Sequence, residues 1–197
     1  GIVSASEIPF GGECAGKIVA VGENISHLKV GDEVIAVMAI GCMSSFVTVN
    51  AEFVVPKPPE LSFEAAATIP TTFLTAYYGL YHQAQMQRGD KVLIHAAAGG
   101  VGQAAIQLAK LIGADIFATA SPSKWEFLKS TGIETVMNSR SLDFAEEVMN
   151  ITKGRGVDIV LNSLNGEFIP KSLLVLEQEG RFVEIGKIGT WDASDVK

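Results

Sequence analysis

The stretch Lys91-Val92-Leu93-Ile94-His95-Ala96-Ala97-Ala98-Gly99-Gly100-Val101-Gly102, running straight into Gln103-Ala104-Ala105-Ile106-Gln107-Leu108-Ala109-Lys110, decides the fold. Its apolar run ends in small residues, crosses a Gly-Gly-Val-Gly turn and gives way to a helical period. Val101, Ala104, Ala105, Leu108, Ala109 and Ile112 recur at helical spacing and define one buried face. A strand, a glycine turn and a helix in this order begin a dinucleotide site. Free amides and the helix dipole favour an anion over Gly99, Gly100, Val101 and Gly102. The spelling is looser than G-x-G-x-x-G, so this stretch alone also admits a plain strand-to-helix turn.

Working outward, strands and helices alternate: strand 91–96, helix 100–112, strand 114–120, helix 123–130, strand 135–138, helix 143–152, strand 157–162, helix 167–177 and strand 181–186. That alternation implies right-handed crossovers and a doubly wound parallel α/β sheet of Rossmann type. Upstream, β-like runs at 16–22, 32–37 and 46–49, broken by glycine, imply a small antiparallel barrel or sandwich. Pro56-Lys57-Pro58-Pro59 punctuates the chain and marks a boundary near residue 60. Ser62 caps a helix that Pro70 should end, with a second helix over 71–83.

Composition narrows the functional classes. With 48% hydrophobic residues, 19% charged and 20 glycines, the chain reads as a packed α/β protein. A net charge of -7 without a basic run argues against nucleic acid as a partner. Cys14 and Cys42 are too few for a disulfide framework or a four-ligand zinc site, read as small apolar fillers, and leave a cytoplasmic setting as the default. No apolar stretch reaches the about 18 residues that span a bilayer, so no membrane partner is expected, and the first residues lack a signal peptide's positive region.

A parallel sheet binds ligands at the carboxyl ends of its strands. After the second strand, Ser121-Pro122-Ser123-Lys124 puts a hydroxyl and a cation where an NAD site carries a carboxylate. After the third, Asn138-Ser139-Arg140 adds a guanidinium that can bridge phosphate oxygens. Ser121, Lys124 and Arg140 together favour the 2′-phosphate of NADP; singly, each also reads as a cap or a solvated surface residue. Asn162-Ser163 follow the fourth strand, where ribose or nicotinamide would lie, and Gly186-Lys187 follow the fifth. Lys187 reads either as reaching into the cleft or as a solvated loop lysine. His95, ending a strand beside three alanines, reads as structural.

These residues carry a family likeness. Ala65 to Tyr78, Ile94 to Ala105, Asn138 to Phe144, Gly154 to Leu164 and Gly180 to Lys187 resemble the medium-chain reductase superfamily, and within it the enoyl reductase domain of modular (type I) polyketide synthases and animal fatty acid synthase. The resemblance implies a GroES-like substrate lobe, here 1–60, and an NADPH-binding Rossmann lobe, here 61–197, each expected to be partial, with the sixth strand lying past Lys197. Gly11-Gly12-Glu13-Cys14-Ala15-Gly16 resembles the Gly-His-Glu-x-x-Gly of zinc alcohol dehydrogenases, with Gly12 where a ligating His would be, so no metal is expected. Thr75 resembles the threonine beside the nicotinamide, and Lys187 the proton donor. The tyrosine that serves as donor in some members has no counterpart in residues 1–11, since Tyr77, Tyr78 and Tyr81 lie further along.

The implied reaction is NADPH-dependent reduction of an α,β-enoyl thioester on an acyl carrier protein, hydride going to the β-carbon and a proton to the α-carbon, among neighbouring synthase domains. A substrate with a leaving group could instead close a ring. Two alternatives stay open: a free-standing quinone or enone reductase, and an NADPH-binding module without turnover.

Overall fold

The computed structural model describes residues 9–187 together with 189 and 194. Two compact units divide the chain, Gly1–Leu74 and Thr75–Lys197. In the first, β1 (Glu13–Lys17), β2 (Glu33–Val37) and β3 (Val54–Pro56) form an antiparallel sheet in the order β1-β2-β3. The run at 32–37 is a strand as expected; the other two are displaced. Ile18 N–H donates to Asp32 O and Gly31 N–H to Ile18 O, closing the hairpin so early that Val19 and Val21 fall in the connection, exposed. The hydroxyl of Ser44 donates to Phe46 O at 2.6 Å, in a non-strand segment. Pairing passes instead to β3, where Val55 faces Ile35. Pro56 is accommodated because β3 is an edge strand among the described residues.

Lys57 clamps the proline-rich segment. It is 8% exposed, donates to Pro58 O and Leu61 O, and sits 3.2 Å from Glu33. That hydrogen bond holds the Glu33 carboxyl below the usual carboxylate range. Helix α1 (Phe63–Ala67) starts on Ser62, whose Oγ accepts from Ala65 N–H. Pro70 opens helix α2 (Pro70–Tyr77) rather than only ending α1, because proline fits the first turn, where no amide partner exists. Glu13 accepts from Thr71 N–H at 2.7 Å in that turn. The expected helix over 71–83 changes pitch to a π-turn at Tyr78–Gln83.

The second unit is built on five parallel strands, β4 (Lys91–Ile94), β5 (Asp115–Ala120), β6 (Thr135–Asn138), β7 (Val157–Asn162) and β8 (Leu176–Glu184), in the order β6-β5-β4-β7-β8. Helices α3 (Gly100–Ile112), α4 (Trp125–Ser130), α5 (Phe144–Ile151) and α6 (Phe168–Leu174) connect them. The core gathers Leu93, Phe117, Met137, Phe144, Val148 and Val160. β7 is buried along its whole length, which accounts for its apolar Ile159-Val160-Leu161 run, while Asp158 and Asn162 are buried with hydrogen-bond partners. Among the described residues no helix is long and apolar enough to cross a membrane.

His95 is 3% exposed beneath the glycine turn. Nδ1 lies 3.0 Å from the Thr119 hydroxyl and Nε2 2.8 Å from that of Ser172, and the ring meets Phe144 edge-on at 4.9 Å. Either tautomer is satisfied, since each hydroxyl can donate or accept. Burial lowers the imidazole from 6.5 to about 4, so the folded protein holds it neutral. A depressed folded value means that the unfolded chain binds the proton more readily; this contribution to stability is present above pH 6.5 and lost as pH falls towards 4. We expect the wild type to lose about 3 kcal/mol through this group over that window. The loss is absent in His95→Gln, as urea midpoints measured against pH will show.

Candidate functional site

The glycine turn is shaped by one close approach. After β4, Ala97 N–H donates to Thr119 O at 2.8 Å, tying the turn to β5. Ala96 takes φ 49, and Gly99 forms the helix N-cap in extended backbone with no side-chain hydrogen bond. A Cβ on Gly102 would stand 2.6 Å from Ala97 Cα and O and 2.7 Å from Ala96 O, so only glycine lets α3 seat there. The Gln103 N–H donates to Gly99 O, which leaves the N–H groups of Gly100, Val101 and Gly102 ahead of the helical ladder. Bare amides over a methyl-free surface fit the pyrophosphate of a dinucleotide.

Because β4, β5 and β6 are neighbours in the sheet, the turn, Ser121–Lys124 and Arg140 follow one another along a single edge. Ser121 begins a one-turn 3-10 helix, Pro122–Lys124, and its hydroxyl shares a 3.3 Å hydrogen bond with Ser123. Arg140 N–H donates to Asn138 Oδ1, fixing the backbone while the residue stays exposed. Neither Lys124 nor Arg140 belongs to an ion pair among the described residues. The adjacent Ser141 hydroxyl, which the sequence did not single out, is buried with no hydrogen-bond partner among the described residues. At the amino ends of the strands, by contrast, the arginines are paired: Arg155 with Glu177 and Asp158, Arg181 with Asp90. Arg155 holds the Glu177 carboxyl at about 2.

On the other side of β4, a cavity of about 660 Å³ is lined by Thr75, Tyr78, Gly79, Arg181, Glu184 and Ile185, among others. Gly79 allows this wall to form, since a Cβ there would meet Val183 Cγ1 at 3.1 Å. Asn162 is fully buried, and its side chain turns into the protein: Nδ2 donates to Leu164 O and to Glu184 Oε2, and Oδ1 accepts from Leu164 N–H. Its amide is therefore occupied by the chain itself, and Ser163 is the exposed polar group there. Gly186 follows β8, half-buried, and Lys187 is exposed beyond it. Glu184 escaped sequence reasoning; its signal was a carboxylate set among the apolar Phe182, Val183 and Ile185.

A zinc site does not fit. Gly12 offers no ligand, and among the described residues no three His, Cys, Asp or Glu side chains stand together to hold a metal. Cys42 Sγ donates to Glu13 O, and burial raises the Cys14 thiol further from its reactive form.

Comparison with known proteins agrees with this geometry. Residues 2–59 match the alcohol dehydrogenase GroES-like domain and residues 100–196 the zinc-binding dehydrogenase domain. The chain is 44% identical over 194 residues to the spectinabilin polyketide synthase system protein NorB of Streptomyces orinoci, covering 98% of this chain and 9% of NorB. The CurK enoyl reductase is 65% identical with a TM-score of 0.95, over 98% of this chain and 58% of that one. The CurF ER cyclopropanase from the curacin A biosynthetic pathway is 49% identical with a TM-score of 0.93 and the same coverage. Mycobacterial Rv1454c complexed with NADPH is 29% identical with a TM-score of 0.85, over 94% of this chain and 60% of that one.

The close seat at Gly102 yields a direct test. Gly102→Ala forces α3 off the Ala96–Ala97 backbone, which we expect to cost about 1–3 kcal/mol of stability in chemical denaturation. Calorimetric titration with NADPH should show affinity reduced by about tenfold or more.

Proposed function

The chain belongs to the enoyl reductase domains of modular polyketide synthases, within the medium-chain dehydrogenase/reductase superfamily, and from that premise we propose that it serves NADPH-dependent reduction of an α,β-enoyl thioester carried on an acyl carrier protein. The observation that carries this reading is the single sheet edge on which bare helix amides, Ser121, Lys124 and Arg140 stand in a row, two of them unpaired cations and none a carboxylate. The residues fit a dinucleotide, because the seat at Gly102 admits backbone where a side chain would obstruct it. When bound, the cofactor supplies the hydride.

The chain's own groups do the rest. The amides of Gly100, Val101 and Gly102 hold the pyrophosphate, with Gly99 opening the turn. Lys124 and Arg140 neutralise a 2′-phosphate, and Ser121 bonds it or the adjacent ribose. Thr75, in the cavity wall, orients the carboxamide end, while Asn162 and Gly186 shape the backbone beneath it. Lys187, an exposed ammonium at the end of β8, gives its proton to the α-carbon. An enoyl thioester is already electrophilic at the β-carbon, so hydrogen bonds suffice to hold the enolate. Neighbouring synthase domains and a cytoplasmic setting belong to the same proposal.

With crotonyl pantetheine, the protein should consume NADPH and release the saturated thioester. Turnover of a quinone alone would favour a free-standing reductase, and NADPH binding without turnover of either substrate would favour a binding module. Lys124→Ala and Arg140→Ala should each weaken NADPH binding by about tenfold while leaving NADH binding nearly unchanged; unchanged NADPH affinity rejects the 2′-phosphate assignment. Lys187→Ala should lower turnover by about 100-fold with little change in NADPH affinity, as steady-state rates and titrations will show.

A further inference from the structure

Both oxygens of the Glu184 carboxylate are engaged at the end of β8. Oε1 accepts from Gly186 N–H at 2.6 Å, two residues on, and Oε2 accepts from Asn162 Nδ2 at 2.7 Å. Asn162 is the residue directly opposite Glu184 in the parallel register of β7 and β8. It passes the contact on, gripping Leu164 through both its backbone N–H and its C=O, and its own C=O accepts from Ile185 N–H. The loops leaving two neighbouring strands are thus bolted to each other through one carboxylate.

We propose that Glu184 is a positioning residue, a latch that joins the loop at 162–164 to the loop at 185–187 and so fixes the floor under the nicotinamide half of the cofactor. The proposal rests on the cofactor reading above. Three features argue for a purpose-built latch. Each partner of the carboxylate is a donor, which suits an ionised, acceptor-only group and does not suit an amide. Gly186 makes room for the contact, since a Cβ there would stand 2.7 Å from Oε1. Asn162 cannot turn over, because reversing its amide would set donor against donor and acceptor against acceptor at Leu164. Glu184 also lines the cavity that Thr75 lines, and Lys187 is one residue beyond the latched Gly186. Asn162 therefore acts through the backbone it holds, and Glu184 acts on Lys187 through Gly186.

Glu184→Gln keeps the shape of the side chain but turns an NH2 towards one of two donors. Two ligands separate a local from a general effect: NADPH, and 2′-phospho-ADP-ribose, which has the adenosine phosphate and the pyrophosphate but no nicotinamide. E184Q should bind NADPH about tenfold more weakly and 2′-phospho-ADP-ribose within about twofold of wild type. Equal loss for both ligands, or no loss for either, overturns the proposal. A second readout needs no ligand: by NMR hydrogen exchange, the Gly186 and Leu164 amides should exchange about tenfold faster in E184Q, while Leu93 and Val160 in the sheet interior do not change. Unchanged protection at Gly186 overturns the latch. Accelerated exchange in a protein whose wild type binds neither ligand would sustain the latch and reject the cofactor reading. Gly186→Ala, which displaces the carboxylate from the other side, should reproduce both effects and serves if E184Q does not fold.

Discussion

At residue 102 two stretches of backbone come within a distance that excludes even one methyl group, and the nucleotide edge of this protein depends on that approach. It places the first turn of α3 against the turn that leaves β4, so three amides lie ahead of the helical ladder without a partner among the described residues. The turn is in turn held from beneath. Ala97 is bonded to β5, and His95 ties β4 to Thr119 and to Ser172 of α6. A neutral buried imidazole with both nitrogens satisfied costs little, whereas a charged one would lift the floor of the turn. Packing, not hydrogen bonding to a side-chain cap, is what aims this helix.

The charges are sorted along the sheet in the same sense. At the amino ends Arg155 and Arg181 are matched by Glu177, Asp158 and Asp90. At the carboxyl ends Lys124, Arg140 and Lys187 are exposed. In an acidic chain of net charge -7, exposed cations thus follow three of the parallel strands, β5, β6 and β8. Exposed cations without partners cost the fold almost nothing, so the polarity is available for a ligand.

The second unit was legible because each of its signals is local. β6 and β7 span the residues expected of them, 135–138 and 157–162, and α3 starts at the glycine and ends before Gly113 as the change of period requires. The misreadings share another cause. The helix expected over 167–177 stops at Leu174, because Leu176 pairs with Val157 and starts β8 instead, a ladder partner outweighing tenths of a kilocalorie of propensity. In the first unit the strand near residue 50 was misplaced because its register is set by β2, not by its own alternation. The site shows the same split. Glycines, Lys124 and Arg140 are found by position after a strand, whereas the Glu184–Asn162 contact joins residues that meet only in the folded sheet. For Asn162 the sequence places an amide after the fourth strand, and the fold bonds that amide to Leu164 and Glu184, because sequence shows which groups a residue has and not which are already taken.

Two anchors of different character follow from this. The glycine turn is rigid by contact and, with the cations beside it and on the cofactor reading proposed above, would govern how tightly the phosphates are held. The end of β7 and β8 is fixed by a few charge-assisted hydrogen bonds and, with the latch as proposed, governs where the reacting ring and Lys187 stand. On that reading affinity and geometry reside in separate elements, β4 to β6 for the one and β7 to β8 for the other. Hydride transfer tolerates little misplacement, so a carboxylate that contributes nothing to phosphate binding can still control turnover. The same division, if the proposed reaction holds, would let substitutions around β8 alter the fate of the enolate without disturbing cofactor capture, one physical route by which a common reductase scaffold can support more than one outcome.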